Sequence, residues 1–305
     1  MNHTLEQLLS FRRTLSARPP LSRTTVRARG LDFAVYRTPA VGDALPLLCI
    51  NGGLLFSHEL LWPALAALAK HRQLIFYDQR GRGASQTPPG LHASRIEFDA
   101  TDVRAIREAL GISQWDVLGH SWGGGIAMLA TANDAAAVRN LVLVCSVGVT
   151  SRWLPTLHRE ALDRLVGAQR EALAGFNTAG LNAPDLAYHA AYAKAFFPAY
   201  FADREFAASV TPAVGTSVTG TFVAARLRRE GYDWTSSLRD VTTRTLVLHG
   251  TGDIVPQREA EDIAATLKHA SLRLMPDVGH NPFWEAPTDF FALVEAFLAE
   301  PPLIL

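Results

Sequence analysis

Trp115-Asp116-Val117-Leu118-Gly119-His120-Ser121-Trp122-Gly123-Gly124-Gly125-Ile126-Ala127-Met128-Leu129 is the stretch that decides the fold. Its opening residues read as a short buried strand and its closing ones as an apolar helix. Between them stands G-x-S-x-G, with Ser121 at the centre of a sharp strand-to-helix turn. Such a turn brings the residues two before and two after the serine close together. A Cβ at either place would clash, and Gly119 and Gly123 remove it. The turn lifts the Ser121 hydroxyl above the sheet and aims the following N–H groups at the same spot. A glycine-rich turn in any α/β protein is the bland alternative, so the rest of the chain must supply the partners.

Outward from this turn, short apolar runs alternate with helical patterns. Strands are expected at 25–29, 33–37, 47–50, 73–77, 115–118, 140–145, 245–249 and 271–275, the first two forming a hairpin that turns near Gly30-Leu31-Asp32. Helices are expected at 59–69, 98–110, 122–131, 258–268 and 288–298, the last with the stripe Phe290, Phe291, Val294, Phe297 and Leu298. The pattern predicts a mostly parallel eight-stranded α/β sheet flanked by helices, with an antiparallel start. The rhythm stops between the sixth and seventh strands. Residues 150–240 are rich in Ala, Arg, Leu and aromatics and read as an inserted helical cap. The expected division is an N-terminal helix or arm over 1–23, a core over 24–149 and 241–305, and the cap between.

Composition excludes several function classes. The chain has 305 residues, 48% of them hydrophobic, enough for one large core. Lys+Arg and Asp+Glu are both 29, and no basic stripe marks a nucleic-acid face. No apolar run is long enough for a membrane span. The N-terminal segment, with Leu5, Leu8, Leu9 and Phe11 among Arg12, Arg13 and Arg18, lacks the apolar core of a secretory signal. Cys49 and Cys145 lie in strand-like runs and read as buried thiols in a reducing, cytoplasmic setting. No Cys/His spacing suggests a metal, and no cofactor or macromolecular partner is expected. The substrate is expected to be a small molecule; the composition is silent on oligomeric state.

A serine nucleophile needs a base, and the base needs an orienting acid. The loop after the seventh strand reads Thr251-Gly252-Asp253-Ile254-Val255-Pro256, placing Asp253 just past a strand's carboxyl end, where ligands gather in open α/β sheets. The loop after the eighth reads Asp277-Val278-Gly279-His280-Asn281-Pro282-Phe283. Alone, Asp253 would be a helix cap, Asp277 a turn residue and His280 structural. Together, Ser121, Asp253 and His280 stand in one order on three post-strand loops, and we read them as a catalytic triad. Acyl transfer also requires N–H donors for the developing oxyanion. Trp122 N–H is one expected donor. Gly53 N–H, from Asn51-Gly52-Gly53-Leu54 after the third strand, is the other.

At this point the chain resembles the α/β-hydrolase superfamily over nearly its whole length, and most of all its proline iminopeptidase-like branch. The matching pieces are Asn51-Gly52-Gly53 with Phe56-Ser57-His58-Glu59, Phe76-Tyr77-Asp78-Gln79-Arg80-Gly81, Gly119-His120-Ser121-Trp122-Gly123 and Gly279-His280-Asn281-Pro282-Phe283. The resemblance implies that Asp78-Gln79-Arg80 buttresses the floor of the site, giving Arg80 a structural role. Two departures bear on specificity. The branch carries His-Gly-Gly-Pro where Asn51-Gly52-Gly53-Leu54 stands. One group of its members places a glutamate directly after the catalytic aspartate, where Ile254 stands. An aminopeptidase must hold a free ammonium, normally with carboxylates, and Glu205, Glu230 or Asp233 in the cap could substitute for that glutamate.

The expected activity is therefore serine-dependent hydrolysis of an ester, lactone or amide of a small, rather apolar substrate. Phe56, Phe197, Tyr200, Phe222, Ile254 and Phe283 are candidates for its pocket, alongside Trp122. Three readings compete: an N-terminal exopeptidase with a proline preference, a carbon–carbon bond hydrolase on the same triad, and a ligand receptor built on a hydrolase scaffold. Haloalkane dehalogenation is disfavoured, because that chemistry uses a carboxylate nucleophile where Ser121 stands.

Overall fold

A computed structural model describes residues 19–209 and 215–300 of the chain. Eight strands form one sheet: β1 Ser22–Ala28, β2 Leu31–Arg37, β3 Leu47–Ile50, β4 Leu74–Tyr77, β5 Trp115–His120, β6 Val138–Val144, β7 Arg244–Gly250 and β8 Ala270–Met275. Their order across the sheet is β1-β2-β4-β3-β5-β6-β7-β8. β1 pairs antiparallel with β2, and β2 with β4. The remaining neighbours are parallel. Every expected strand is present. The hairpin turns one residue earlier than expected, on Arg29 and Gly30, both at positive φ, the geometry of a tight two-residue hairpin turn.

The helices are α1 Ile96–Ala109, α2 Trp122–Asn133, α3 Leu157–Arg164, α4 Gly167–Ala174, α5 Leu186–Phe196, α6 Arg204–Ser209, α7 Val218–Glu230, α8 Thr235–Leu238, α9 Gln257–Thr266, α10 Pro282–Glu285 and α11 Pro287–Ala299. None is long and apolar enough to cross a membrane. The strands are apolar throughout because both faces are covered. Leu48, Ile50, Ile75 and Tyr77 point to one face, packing in the same cluster as Ile106 of α1 and Ile126 of α2. Their alternates Leu47, Cys49, Leu74 and Phe76 join Phe290 and Val294 of α11 on the other.

Two expectations are corrected. Residues 59–69 do not form one helix: the stretch breaks into short 3-10 turns at His58–Leu60 and Ala66–Lys70. Pro63 lies between them, where it has no N–H to donate and its ring obstructs a preceding turn. The arm expected over residues 1–23 lies outside the described residues up to position 18, and Ser22 and Arg23 belong to β1.

Helices α3 to α8 all lie between β6 and β7. The two ends of this insert are clasped together: Thr150 bridges Asp233, and Trp153 Nε1 donates to the Tyr232 hydroxyl at 3.0 Å. Because β3, β5, β7 and β8 run parallel, the loops at residues 51–54, 121, 251–256 and 276–281 gather at one edge of the sheet.

Candidate active site

Ser121 is held at φ 55 and ψ −124 between β5 and α2, a conformation that L-residues rarely adopt. Its N–H donates to Val144 C=O of β6 at 3.0 Å, and its carbonyl accepts from Gly124 N–H at 2.9 Å. The two glycines of the pentapeptide serve different neighbours. A Cβ on Gly119 would lie 2.4 Å from Gly123 C=O, the close approach expected from the motif. A Cβ on Gly123 would instead lie 2.1 Å from Ile50 C=O, so this glycine lets α2 pass the end of β3.

The loops after β7 and β8 bring Asp253 and His280 together. His280 Nδ1 lies 2.9 Å from both carboxylate oxygens of Asp253. Asp277 instead occupies the turn after β8, at φ 57. Burial pushes the Asp253 carboxyl up, but His280, His249 and Val255 N–H outweigh it and hold it below the ordinary range. His280 Nε2 is buried with no hydrogen-bond partner among the described residues. It makes no hydrogen bond to Ser121.

Three neighbours position this pair, and the sequence reading missed all of them. His120 Nε2 lies 2.9 Å from His280 C=O, and burial, then the adjacent His280, depresses its pKa to about 3. The neutral ring therefore donates to that carbonyl. His249 Nε2 meets Val255 C=O at 3.0 Å and fixes the acid loop. Glu285 of α10 accepts from Ala202 N–H at 2.9 Å and Asn281 N–H at 3.3 Å. Burial raises the Glu285 carboxyl to about 7; backbone donors oppose the rise, and Asp253 adds to it. Donor atoms of Cys145, His249 and Asp253 lie within 4.8 Å of one another. They do not fit a metal well: Asp253 is engaged by His280, and burial holds the Cys145 thiol well above its usual pKa and neutral.

The loop after β3 presses directly on the serine. A Cβ on Gly52 would sit 2.5 Å from Ser121 Cβ and 3.1 Å from its Oγ. Gly53 follows at φ 62, where its carbonyl accepts from Phe56 N–H. Trp122 opens α2, so its N–H is one of those a helix's first turn leaves without an intrahelical partner. The loop is held from below. Gln79 Nε2 donates to Asn51 C=O at 3.0 Å, and Arg82 Nε to Leu54 C=O at 3.1 Å. Arg82 is itself fixed by Asp99 at 2.8 and 3.0 Å. Arg80 is structural, as the resemblance implied, but it grips Asp102 of α1 at 2.7 Å through Nε; Gln79 and Arg82 reach the loop.

A serine, an imidazole–carboxylate pair and a glycine loop thus converge on one sheet edge. The family description "alpha/beta hydrolase fold" matches residues 46–287. The chain belongs to the α/β-hydrolase family. It is 28% identical over 276 residues to a proline iminopeptidase of Lactobacillus delbrueckii subsp. bulgaricus, an alignment spanning 84% of this chain and 90% of that one. It is 30% identical over 269 residues to a 2-hydroxymuconate semialdehyde hydrolase of Pseudomonas sp. (strain CF600), spanning 85% and 88%. The crystal structure of a proline iminopeptidase of Mycobacterium smegmatis superposes with a TM-score of 0.70 at 23% identity, spanning 91% and 97%.

This α/β-hydrolase has a cavity between the sheet edge and the insert, of about 800 Å³ with the open space at its mouth included. Gly53, Phe56, Trp122 and Tyr200 of the predicted residues line it. Ser121 and His280 lie just behind that lining, 6% and 2% exposed. The Tyr200 ring stacks on His280 at 4.6 Å, and Tyr200 C=O accepts from His280 N–H at 2.7 Å. The other predicted lining residues do not reach the cavity. Phe197 packs with Phe201 and Phe206, Ile254 is wholly buried under α5, and Phe283 packs between His120 and Phe290. Phe222 is half-buried away from it. The sequence reading missed Leu154, Leu181, His189, Tyr192, Phe196 and Arg228, which do line it. Helical spacing within the insert could have found some of them: Tyr192 and Phe196 are one turn apart on α5, as are Ala224 and Arg228 on α7, whereas Leu154 follows one short 3-10 turn and Leu181 lies in another.

Proposed function

We propose that this protein is a serine hydrolase that cleaves an ester, lactone or amide of a small, largely apolar substrate. The observation that carries the reading is the buried Asp253–His280 pair, with an unpartnered Nε2, at the same sheet edge as a serine held in strained backbone. In the proposed cycle Ser121 Oγ attacks the substrate carbonyl as His280 Nε2 takes its proton. Asp253 fixes the Nδ1–H tautomer and stabilises the imidazolium. Gly53 and Trp122 N–H groups stabilise the oxyanion. The tetrahedral intermediate collapses, the carbonyl–leaving-group bond breaks, and His280 passes its proton to the departing group. Water then attacks the acyl-enzyme as His280 takes its proton; the acyl–Oγ bond breaks, His280 returns that proton to Ser121 Oγ, and the acid leaves. The insert acts as a cap that keeps this chemistry from bulk water.

The cavity lining favours this reading over an N-terminal exopeptidase. Among the described lining residues there is no carboxylate to hold a substrate ammonium, and Arg228 is the one side chain with a fixed charge. Of the acids considered for that task, Glu230 pairs on the surface with Arg226 at 3.5 Å and Asp233 caps Thr235 N–H at 2.9 Å. The Glu205 side chain lies outside the described residues.

Ser121→Ala is expected to lower turnover of a short activated acyl ester by at least about 10³-fold. Retained turnover in this variant would sink the reading. Wild-type turnover of prolyl-arylamides above acyl esters would replace it with the exopeptidase. Labelling of Ser121 by a fluorophosphonate without repeated turnover would point to a receptor.

A further inference from the structure

The proposed site explains the end of the cavity that meets Gly53 and Trp122. It leaves the other end unexplained. From His280 a row of rings runs into the insert: Tyr200 to Phe196 at 5.1 Å, Phe196 to Tyr192 at 5.6 Å and Tyr192 to His158 at 5.8 Å. Arg228 of α7 stands at the far end of this row, against the Tyr192 hydroxyl. Three arginines cluster near the end of α7, and two of them are spoken for. Arg226 pairs with Glu230 and donates to Ser94 C=O, and Arg229 donates to Asn182 C=O at 2.8 Å. Arg228 has no carboxylate partner among the described residues, and it faces the cavity.

Its titratable neighbours do not neutralise it. His158 and His189 are both depressed by burial and pushed further down by the Arg228 charge, so they stand as neutral imidazoles. His189 Nε2 lies 2.9 Å from Ala183 C=O, and His158 Nδ1 lies 3.2 Å from the Tyr192 hydroxyl. A half-buried guanidinium that reaches an apolar cavity, with no carboxylate partner among the described residues, has donors to offer an anion. Its planar donor fork matches a carboxylate, and the adjacent Tyr192 hydroxyl can donate to the same group.

We propose that the substrate is an acyl compound carrying a carboxylate at the end remote from the scissile bond, and that Arg228 binds that carboxylate. This rests on the Ser121 hydrolase reading and narrows its substrate class. The acyl carbonyl meets Ser121, an apolar chain lies along Tyr200, Phe196 and Tyr192, and the far carboxylate pairs with Arg228.

The test uses p-nitrophenyl monoesters of dicarboxylic acids from adipic to sebacic, each beside its methyl-capped neutral counterpart. At the best chain length the wild-type kcat/KM is expected to favour the free acid by at least about tenfold, equivalent to ~1.4 kcal/mol. Arg228→Gln should bring that ratio near unity, Arg228→Lys should keep part of it, and Arg228→Glu should turn the preference toward an amine-capped ester. A wild-type ratio at or below unity, or a ratio untouched by Arg228→Gln, overturns the proposal. If no ester is cleaved and Ser121 resists fluorophosphonate, the hydrolase reading is what has failed. Calorimetry then decides the Arg228 site alone, with monomethyl suberate as ligand and Ser121→Ala as background. Binding at least about tenfold weaker in Ser121→Ala/Arg228→Gln upholds the site, and equal binding removes it.

Discussion

Ser121 is a residue whose backbone is spent on position. At φ 55 and ψ −124 it sits where a side chain crowds the main chain, a conformation that costs about 1–3 kcal/mol for a residue with a Cβ. The surrounding structure imposes it: β6 takes the Ser121 N–H, and Gly124 and Val147 N–H groups take its carbonyl. A residue without a Cβ should relax there, although it also loses more freedom on folding. Ser121→Gly is therefore expected to be more stable than Ser121→Ala by about 1 kcal/mol, with both inactive. Urea unfolding of the two variants measures the difference directly. Equal midpoints, or a less stable glycine variant, would mean that the turn stores no strain at this residue.

At the scale of elements, the β3 loop is only as well placed as the segment beneath it. Gln79 and Arg82, both buried, hold the carbonyls of Asn51 and Leu54 on either side of Gly52 and Gly53. Gln79→Ala should leave the sheet intact but loosen the loop. If the loop carries the proposed Gly53 oxyanion donor, kcat is expected to fall about tenfold with KM little changed, because such a donor acts chiefly in the transition state. Steady-state kinetics on an activated ester checks this; a rise in KM at constant kcat would instead place the loop in ground-state binding. The sheet and the pairing of Asp253 with His280 on post-strand loops at the sheet edge that holds Ser121 were legible in the sequence, because strand periodicity and post-strand loops are local signals. The division of labour between Arg80, Gln79 and Arg82 was not, since it depends on which side of the turn after β4 each side chain leaves. The broken segment at 59–69 shows the same limit: its helical apolar spacing was real, but Pro63 overrode it. The cavity lining was least legible, because it draws single side chains from the β3 loop and several helices of the insert. Ile254 and Phe283 neighbour Asp253 and His280 in sequence, yet they face the core.

Across the whole molecule, three sets of hydrogen bonds among the described residues fasten the insert to the segments that carry Asp253, His280 and Glu285. Arg164 of α3 donates to Gly252 C=O at 2.6 Å and to Asp253 C=O, Tyr200 C=O receives His280 N–H, and Glu285 receives Ala202 N–H. The last of these ties stability to pH. Glu285 is 2% exposed and its carboxyl is raised from 4.5 to about 7, so the folded state holds its proton where the unfolded chain has released it. More protons bound in the folded state make stability fall as pH rises. The contribution is fully present below about 4.5 and lost as pH passes through about 7, a span on the order of 3 kcal/mol. His120 acts in the opposite sense. Its pKa is depressed to about 3, so it adds stability as pH rises from 3 toward 6.5. The wild-type curve alone therefore hides both effects, and a difference against a variant isolates one. Glu285→Gln keeps an acceptor oxygen for one of the two backbone donors and removes the titration. Urea unfolding at several pH values should find wild type losing stability relative to Glu285→Gln between pH 4.5 and 7, with most of the change above pH 5. Parallel curves through that window would mean that Glu285 is ionised in the folded state at no cost. The fastening of the insert through Glu285 would then be independent of pH.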